Sequence, residues 1–249
     1  MTRTRLVQLG LLGVLIATFE LAVRTAWLDN FTFAPPSSMF VAMSAELLDP
    51  TFRSDALWPS VTSMLAAFAS AALIGVATGV ALWRIRLLFH ATRPYLILAY
   101  SVPVFVLYPV FLSIFGGGSL PVIVVATIFA LPAVILNTAI GFSETARALV
   151  KVGLSYKLRP AAMLAHIYFP AAWPHIFTGL RIAAGYSIVA VIGTEFILST
   201  RGLGHAIANS YNAFAIQQMY GEILIVILLA LGVTGALGSL EALYFRRLQ

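Results

Sequence analysis

Ser187 stands two residues after Gly185, and this G-x-S, with His205 downstream, is the least that a serine hydrolase working inside a membrane would need. The nucleophile elbow is incomplete, because Val189 occupies the place of its second glycine. Glu195 is the carboxylate best placed for proton coupling, yet it falls near the outer end of an apolar run rather than at its middle. His90, His166, His175 and His205 show no metal-ligand spacing, H-E-x-x-H is absent, and the chain has no cysteine. Neither lysine, Lys151 or Lys157, sits in a glycine-rich phosphate loop, so the chain does not by itself bind and hydrolyse ATP in the P-loop manner. Hydrolytic and metal chemistry are thus poorly provided for, and no repeat of inverted topology is visible to favour a secondary transporter.

The elements that must carry these residues are dictated by apolarity. Of 249 residues, 61% are hydrophobic and only 10% charged, with a mean hydropathy of +0.96; a soluble domain carries about 25% charged residues. A water-soluble enzyme is therefore excluded. At roughly 20 apolar residues per crossing, the runs 6–28, 58–83, 94–115, 120–142, 173–198 and 221–244 read as six transmembrane helices of an all-α membrane protein, in a single transmembrane domain over 1–249. The first run is too long, and lacks an A-x-A site, for a signal peptide. Glu20 and Arg24 interrupt it four residues apart, where they can neutralise each other. Segment 37–48 repeats Met39, Phe40, Met43 and Leu47 at helical spacing and reads as an outer amphipathic helix.

The 15 Lys and Arg residues set the orientation. Arg3, Arg5, Arg84, Arg86, Arg93, Arg147, Lys151, Lys157, Arg159, Arg181, Arg246 and Arg247 fall on the side of the N-terminus, against Arg24, Arg53 and Arg201 on the other. The positive-inside rule puts both termini in the cytoplasm, and the basic balance needs no nucleic acid to explain it. Gly75 and Gly79 form a G-x-x-x-G, and Gly232, Gly235 and Gly238 a second small-residue stripe; packing within one chain is favoured over a dimer seam for both. The third run contains Pro103 and Pro109 and ends in Gly116, Gly117 and Gly118, so its helix must be kinked or partly unwound, as in a cavity wall.

Loop 143–172 is long, basic and amphipathic, and must lie outside the bilayer. Leu149 to Tyr156 reads as one short helix and Pro160 to Tyr168 as a second, with Pro170 and Pro174 breaking the chain before the fifth span. Such a helix pair is a docking surface or a solvated loop. Here FPAAWPHIFTGLRIA, from Phe169, resembles a segment of the permease subunits of type I ATP-binding-cassette importers, nearest the nitrate, sulfonate and taurine branch. FAPPSSMF near Phe33, SVPVFVLYPVFLSIFGGG from Ser101 and EFILSTRGLGHAI from Glu195 have counterparts there in the same order.

The resemblance implies the type I permease fold, a bacterial inner-membrane location, and transport without catalysis. It implies two partner ATPases that carry ATP and Mg, a second permease in a homodimer or pseudo-dimer, and a periplasmic or lipid-anchored binding protein. It also implies a cytoplasmic coupling motif that enters a groove of the ATPase. Glu144, Thr145 and Ala146 lie too far before Pro170 for that motif; the family's spacing lands on Lys151, Val152 and Gly153, with Lys157 in place of its glycine. Leu149, Lys151, Val152, Gly153, Lys157, Pro160, Ala161 and Ala162 are the expected coupling residues.

Tyr100, Ser101, Tyr108, Asn137 and Tyr186 are the expected cavity residues, and they also suit hydrogen bonds between helices. Tyr100 and Tyr108, eight apart, would fall near one helix face. Arg181, Glu195, Arg201, Gly202 and Gly204 are expected at a gate or a binding-protein surface. Small organic or anionic solutes, a sulfonate, nitrate or taurine among them, or a pyrimidine or other aromatic compound, are the expected cargo.

Overall fold

The computed structural model describes residues 3–29 and 31–246. Of the basic residues counted above, Arg247 lies outside them, and the side chains of Arg3, Arg5 and Arg246 lie outside the described side chains. Regular structure among the described residues is entirely helical. In chain order it comprises α1 (Arg3–Arg24), α2 (Pro36–Leu48), α3 (Pro50–Arg84), α4 (Arg86–Leu98), α5 (Tyr108–Phe115), α6 (Ser119–Ser143), α7 (Arg147–Ser155), α8 (Pro160–Leu198), α9 (Leu203–Asn212) and α10 (Ile216–Arg246). Short 3₁₀ turns at Ala99–Ser101 and Val104–Leu107 join α4 to α5.

Five stretches are long and apolar enough to cross a membrane: Leu6–Arg24, Pro50–Arg84, Ser119–Ser143, Pro160–Leu198 and Ile216–Leu243. A sixth crossing is the bent pair Arg86–Ser101 and Val104–Phe115, whose axes meet at 87°. The expected unwinding of the third span is therefore present. Its cause is local: Pro103 has no N–H to donate, and Val102 before it is driven to an extended backbone (φ −89°, ψ 122°). The span starts earlier than expected, at Arg86 rather than Pro94, which sits inside α4.

Other boundaries also move. The first helix ends at Arg24, four residues short of the expected limit, because Ala26 adopts a positive φ of 57° and turns the chain. Pro170 and Pro174 do not break the chain: α8 runs through both from the loop into the membrane. A π-turn at Leu164–Tyr168, where Phe169 N–H reaches the Leu164 carbonyl, takes up the extra residue just ahead of them. The last span begins at Ile216 rather than 221, and α9 was not foreseen.

The chain divides into two compact units. One combines the residues up to Pro59 with Glu195–Leu229. In it the Glu20 carboxylate is held by Arg24 Nε and accepts from the Ser37 amide (2.9 Å) and Ser37 Oγ (2.7 Å), so the interrupting pair ties α1 to the first turn of α2. Gly221 lets α10 approach α2, where an added Cβ would come within 2.8 Å of the Met43 amide nitrogen. Asp49 caps the start of α3, accepting from Thr51 N–H at 2.9 Å and Thr51 Oγ1 at 2.6 Å; these bonds hold its carboxyl below the usual carboxylate range. Partial burial, with Asp49 nearby, pushes the Glu46 carboxyl up.

The other unit combines Ser60–Thr194 with the chain from Ala230 onward, and α6 is its axis, being 61% buried over its span window. Helices associate in lipid by close backbone approach rather than by a hydrophobic driving force. The glycines of α3 provide it, because a Cβ at Gly75 or Gly79 would lie 2.6 Å from that of Val134 or Thr138 on α6. Gly141 on α6 meets Ala172 and His175 of α8, and Gly179 on α8 meets Asn137 of α6. Packing within one chain thus holds for Gly75 and Gly79. The second stripe differs: among the described residues, Gly232 and Gly235 have no atom within 4 Å of an added Cβ, and at Gly238 the nearest is Arg181 Cζ.

Candidate functional site

The glycine crossings of α3, α6 and α8 leave aromatic side chains gathered around α6. Tyr100, at the end of α4, and Tyr186, on α8, have ring centroids 5.7 Å apart, and Phe129 of α6 lies 4.9 Å from Tyr186. Both tyrosines pack on the core of Ala71, Ala130, Ala133, Val134 and Ala183. Asn137 is half-buried two turns along the same helix from Phe129, its Nδ2 donating to the Ala133 carbonyl at 2.8 Å.

Of the five expected cavity residues, the structure brings Tyr100 and Tyr186 into contact. Tyr108 does not share a helix face with Tyr100, because the 87° break separates them; it is buried at the start of α5. Ser101 is exposed at the break. Phe129 escaped sequence reading, since an apolar ring in an apolar run carries no signal.

The coupling segment has a definite local architecture. Gly153 on α7 is buried, and a Cβ there would run into Met163 Sδ and come within 3.2 Å of Ile167 Cγ1, so α7 rests flush on the beginning of α8. After α7 the chain makes a Schellman turn: Lys157 N–H bonds to Leu154 O at 2.9 Å and Leu158 N–H to Gly153 O at 3.1 Å. Lys157 takes a φ of +50°, a conformation that costs glycine nothing. This is the position where the resemblance places the family's glycine.

Pro160 occupies the first turn of α8, followed by Ala161 and Ala162. Leu149 and Val152 are exposed apolar residues on α7, and Lys151 is exposed beside them. The helix on which α7 rests, α8, is continuous from Pro160 to Leu198.

The expected gate residues separate into two groups. Glu195, only 2% exposed, accepts a hydrogen bond from Gly204 N–H at 3.1 Å, at the beginning of α9. Gly202 has φ +106° and donates its N–H to the Asp55 carbonyl at 2.9 Å, and any Cβ there would strike the Glu195 carboxylate. Glu195, Gly202 and Gly204 therefore form one clamp, with Arg201 exposed on the turn that leads into it. Arg181 takes no part in the clamp; its Nη1 lies 3.6 Å from Glu241 of α10. Asp55 and Glu241 were missed, because their partners lie far away in sequence.

Ser187 Oγ donates to the Ala183 carbonyl of its own helix (2.9 Å), and His205 Nε2 is paired with Asn209 (2.9 Å).

Helices α3 and α8 thus pack on α6 through close glycine crossings, and α8 is prolonged beyond its apolar stretch to seat α7. The chain belongs to the family of binding-protein-dependent transport system inner membrane components, whose model matches residues 71–248. It is a multi-pass protein of the inner membrane. It is 28% identical over 181 residues to the nitrate import permease protein NrtB of Synechocystis, covering 73% of this chain and 64% of that protein. The taurine transport system permease protein TauC of Escherichia coli is 25% identical over 235 residues, covering 92% of this chain and 85% of that one. The bicarbonate transport system permease protein CmpB of Synechococcus elongatus is 30% identical over 179 residues, covering 72% and 63%.

Among solved structures, an inward-facing MetNI methionine ABC transporter matches with a TM-score of 0.62 at 16% identity, covering 74% of this chain and 91% of the matched chain. The type I permease fold expected from the sequence is thereby established.

Proposed function

We propose that this chain is the membrane-spanning subunit of an ATP-driven importer, which works as a homodimer with two separate ATPase subunits and receives its solute from an external binding protein. ATP and Mg belong to the ATPases. The observation that carries the reading is the joint at Gly153: α7 is seated without a gap on the foot of α8, and α8 continues unbroken to Tyr186 and Glu195. When the ATPases close, α7 moves with the groove that holds Leu149 and Val152, and α8 transmits the shift as a rigid rod. The result is a switch between inward-open and outward-open states.

The relatives' names, which specify nitrate, taurine and bicarbonate, favour a small anion as cargo. Tyr100, Tyr186 and Phe129 supply an aromatic surface for it, and Tyr108, Ser101 and Asn137 polar groups near the break and on α6. Open glycines at 232 and 235 suit the approach of a second copy. The clamp of Glu195, Gly202 and Gly204, with Arg201 on the turn before it, would serve the outer gate or the binding-protein surface, and Arg181 with Glu241 the inner end of the path.

The test is co-purification of the tagged chain from mildly solubilised native membranes, followed by reconstitution with its partners and measurement of ATP-dependent uptake. A stoichiometric P-loop ATPase and uptake that stops without ATP are expected. A chain that emerges alone after crosslinking, with uptake that follows an ion gradient, would replace this reading with a secondary transporter. Within the complex, Gly153→Leu should leave assembly intact and reduce uptake at least tenfold while ATP hydrolysis persists. Unchanged uptake would refute the joint.

A further inference from the structure

Where α3 and α6 leave the bilayer beside α7, the structure contains a cavity of about 740 Å³ that transport does not explain. Arg84, Arg86, Arg147 and Lys151 contribute to its lining, which has no carboxylate among the described residues. These four cations form no ion pair among the described residues, and the nearest acid in sequence, Glu144, is engaged with His175 at 3.2 Å. The first turn of α7 adds the positive end of a helix, since Ala146 before it provides no side-chain cap. The opposite wall is aromatic: Trp83 lies 4.7 Å from Tyr168 and 5.1 Å from Phe142, centroid to centroid.

We infer that this cavity binds the phosphate headgroup of an anionic phospholipid of the cytoplasmic leaflet. Four exposed cations around a cavity whose described lining has no carboxylate suit a polyanion or several anionic oxygens. The volume corresponds to roughly 25 waters at about 30 Å³ each, far more than a bare phosphate fills. Tryptophan and tyrosine beside arginines at the end of a span mark the depth of the lipid headgroups, and basic pockets between helices on this side suit such groups. The site uses Arg147 and Lys151, whereas the apolar residues of α7 proposed to meet the ATPase are Leu149 and Val152; successive residues are 100° apart on a helix, so the two pairs lie on different faces. A bound lipid would then brace α7 against α3 and α6 and make coupling sensitive to the leaflet's charge.

The experiment uses the full chain in nanodiscs of phosphatidylcholine with a minor fraction of phosphatidylglycerol, and native mass spectrometry counts the lipid retained on ejection. Wild type should retain one phosphatidylglycerol per chain, with an affinity that falls as salt is raised. The triple variant Arg84→Gln, Arg86→Gln and Arg147→Gln should bind on the order of 100-fold more weakly, at about one factor of five for each basic residue near an anionic surface. The charge-preserving triple lysine variant, which guards against a misfolded comparison, should retain the lipid.

Equal retention by the glutamine variant, or binding indifferent to salt, would overturn the proposal. Full displacement of the lipid by millimolar inorganic phosphate would make the ligand a free anion and overturn the lipid assignment. Loss of the lipid when the partner ATPase is added would assign the cavity to that subunit, with the same consequence.

Discussion

Replacing Gly202 by alanine tests the outer clamp most severely. The backbone there has φ 106° and ψ 168°, a region reserved for glycine that costs a residue with a Cβ about 1–3 kcal/mol. The added methyl would also collide with the Glu195 carboxylate, which is buried and cannot swing into solvent. If the carboxyl group moves off Gly204 N–H, a buried polar pair is left unsatisfied at about 1–3 kcal/mol. The two effects share one cause and add only in part, giving about 3–5 kcal/mol in all.

Hydrogen exchange read by mass spectrometry over residues 195–212, in a detergent or nanodisc that preserves the wild type, isolates the effect. Opening of α9 should become at least about 100-fold more frequent, because each 1.4 kcal/mol is a factor of ten. Gly117→Ala is the control, having open space around its Cβ and no positive φ. Protection of α9 within about threefold of wild type would refute the clamp.

Three further outcomes follow from the same geometry. Lys157→Gly removes a side chain from a left-handed backbone position and should stabilise the turn between α7 and α8 by about 1 kcal/mol, read as slower amide exchange at Lys157 and Leu158; faster exchange would contradict the turn. Gly79→Ala sets a Cβ 2.6 Å from that of Thr138 and 2.9 Å from the Ile135 carbonyl oxygen, forcing α3 from α6 at about 1–3 kcal/mol, whereas Gly13→Ala should cost nothing; melting of the two variants in one detergent decides. Asp49 has a depressed pKa when folded, so its stabilisation is present above the unfolded carboxylate value, near 3.9, and disappears as pH falls through the lower folded value. Exchange at the start of α3 should accelerate in that acid window for wild type and be flat in Asp49→Asn.

Much of the architecture was legible because a bilayer tolerates few solutions. Backbone groups in hydrocarbon must be satisfied within the helix, so apolar runs mark spans directly, and the α3, α6, α8 and α10 spans fall close to their expected places. The break after Ser101 was also legible, since Pro103 can neither donate nor let its predecessor stay helical. Pro170 and Pro174 misled for a related reason: a proline forbids one hydrogen bond, but a π-turn upstream and burial of the foot of α8 against α7 keep the helix going. The face shared by Tyr100 and Tyr108 failed because periodicity holds only along an unbroken axis.

Taken alone, the sequence determined an all-helical membrane protein, the places of its apolar spans, and the side on which positive charge collects. Those properties are sums over many residues, and solvent transfer energies decide them whatever the packing. The tertiary structure decided which single residues meet: Glu195 with Gly202 and Gly204, Arg181 with Glu241, Gly153 with Met163, and four basic side chains around one cavity. These contacts join residues on different helices or turns, and only the packing of the chain brings them within reach of one another.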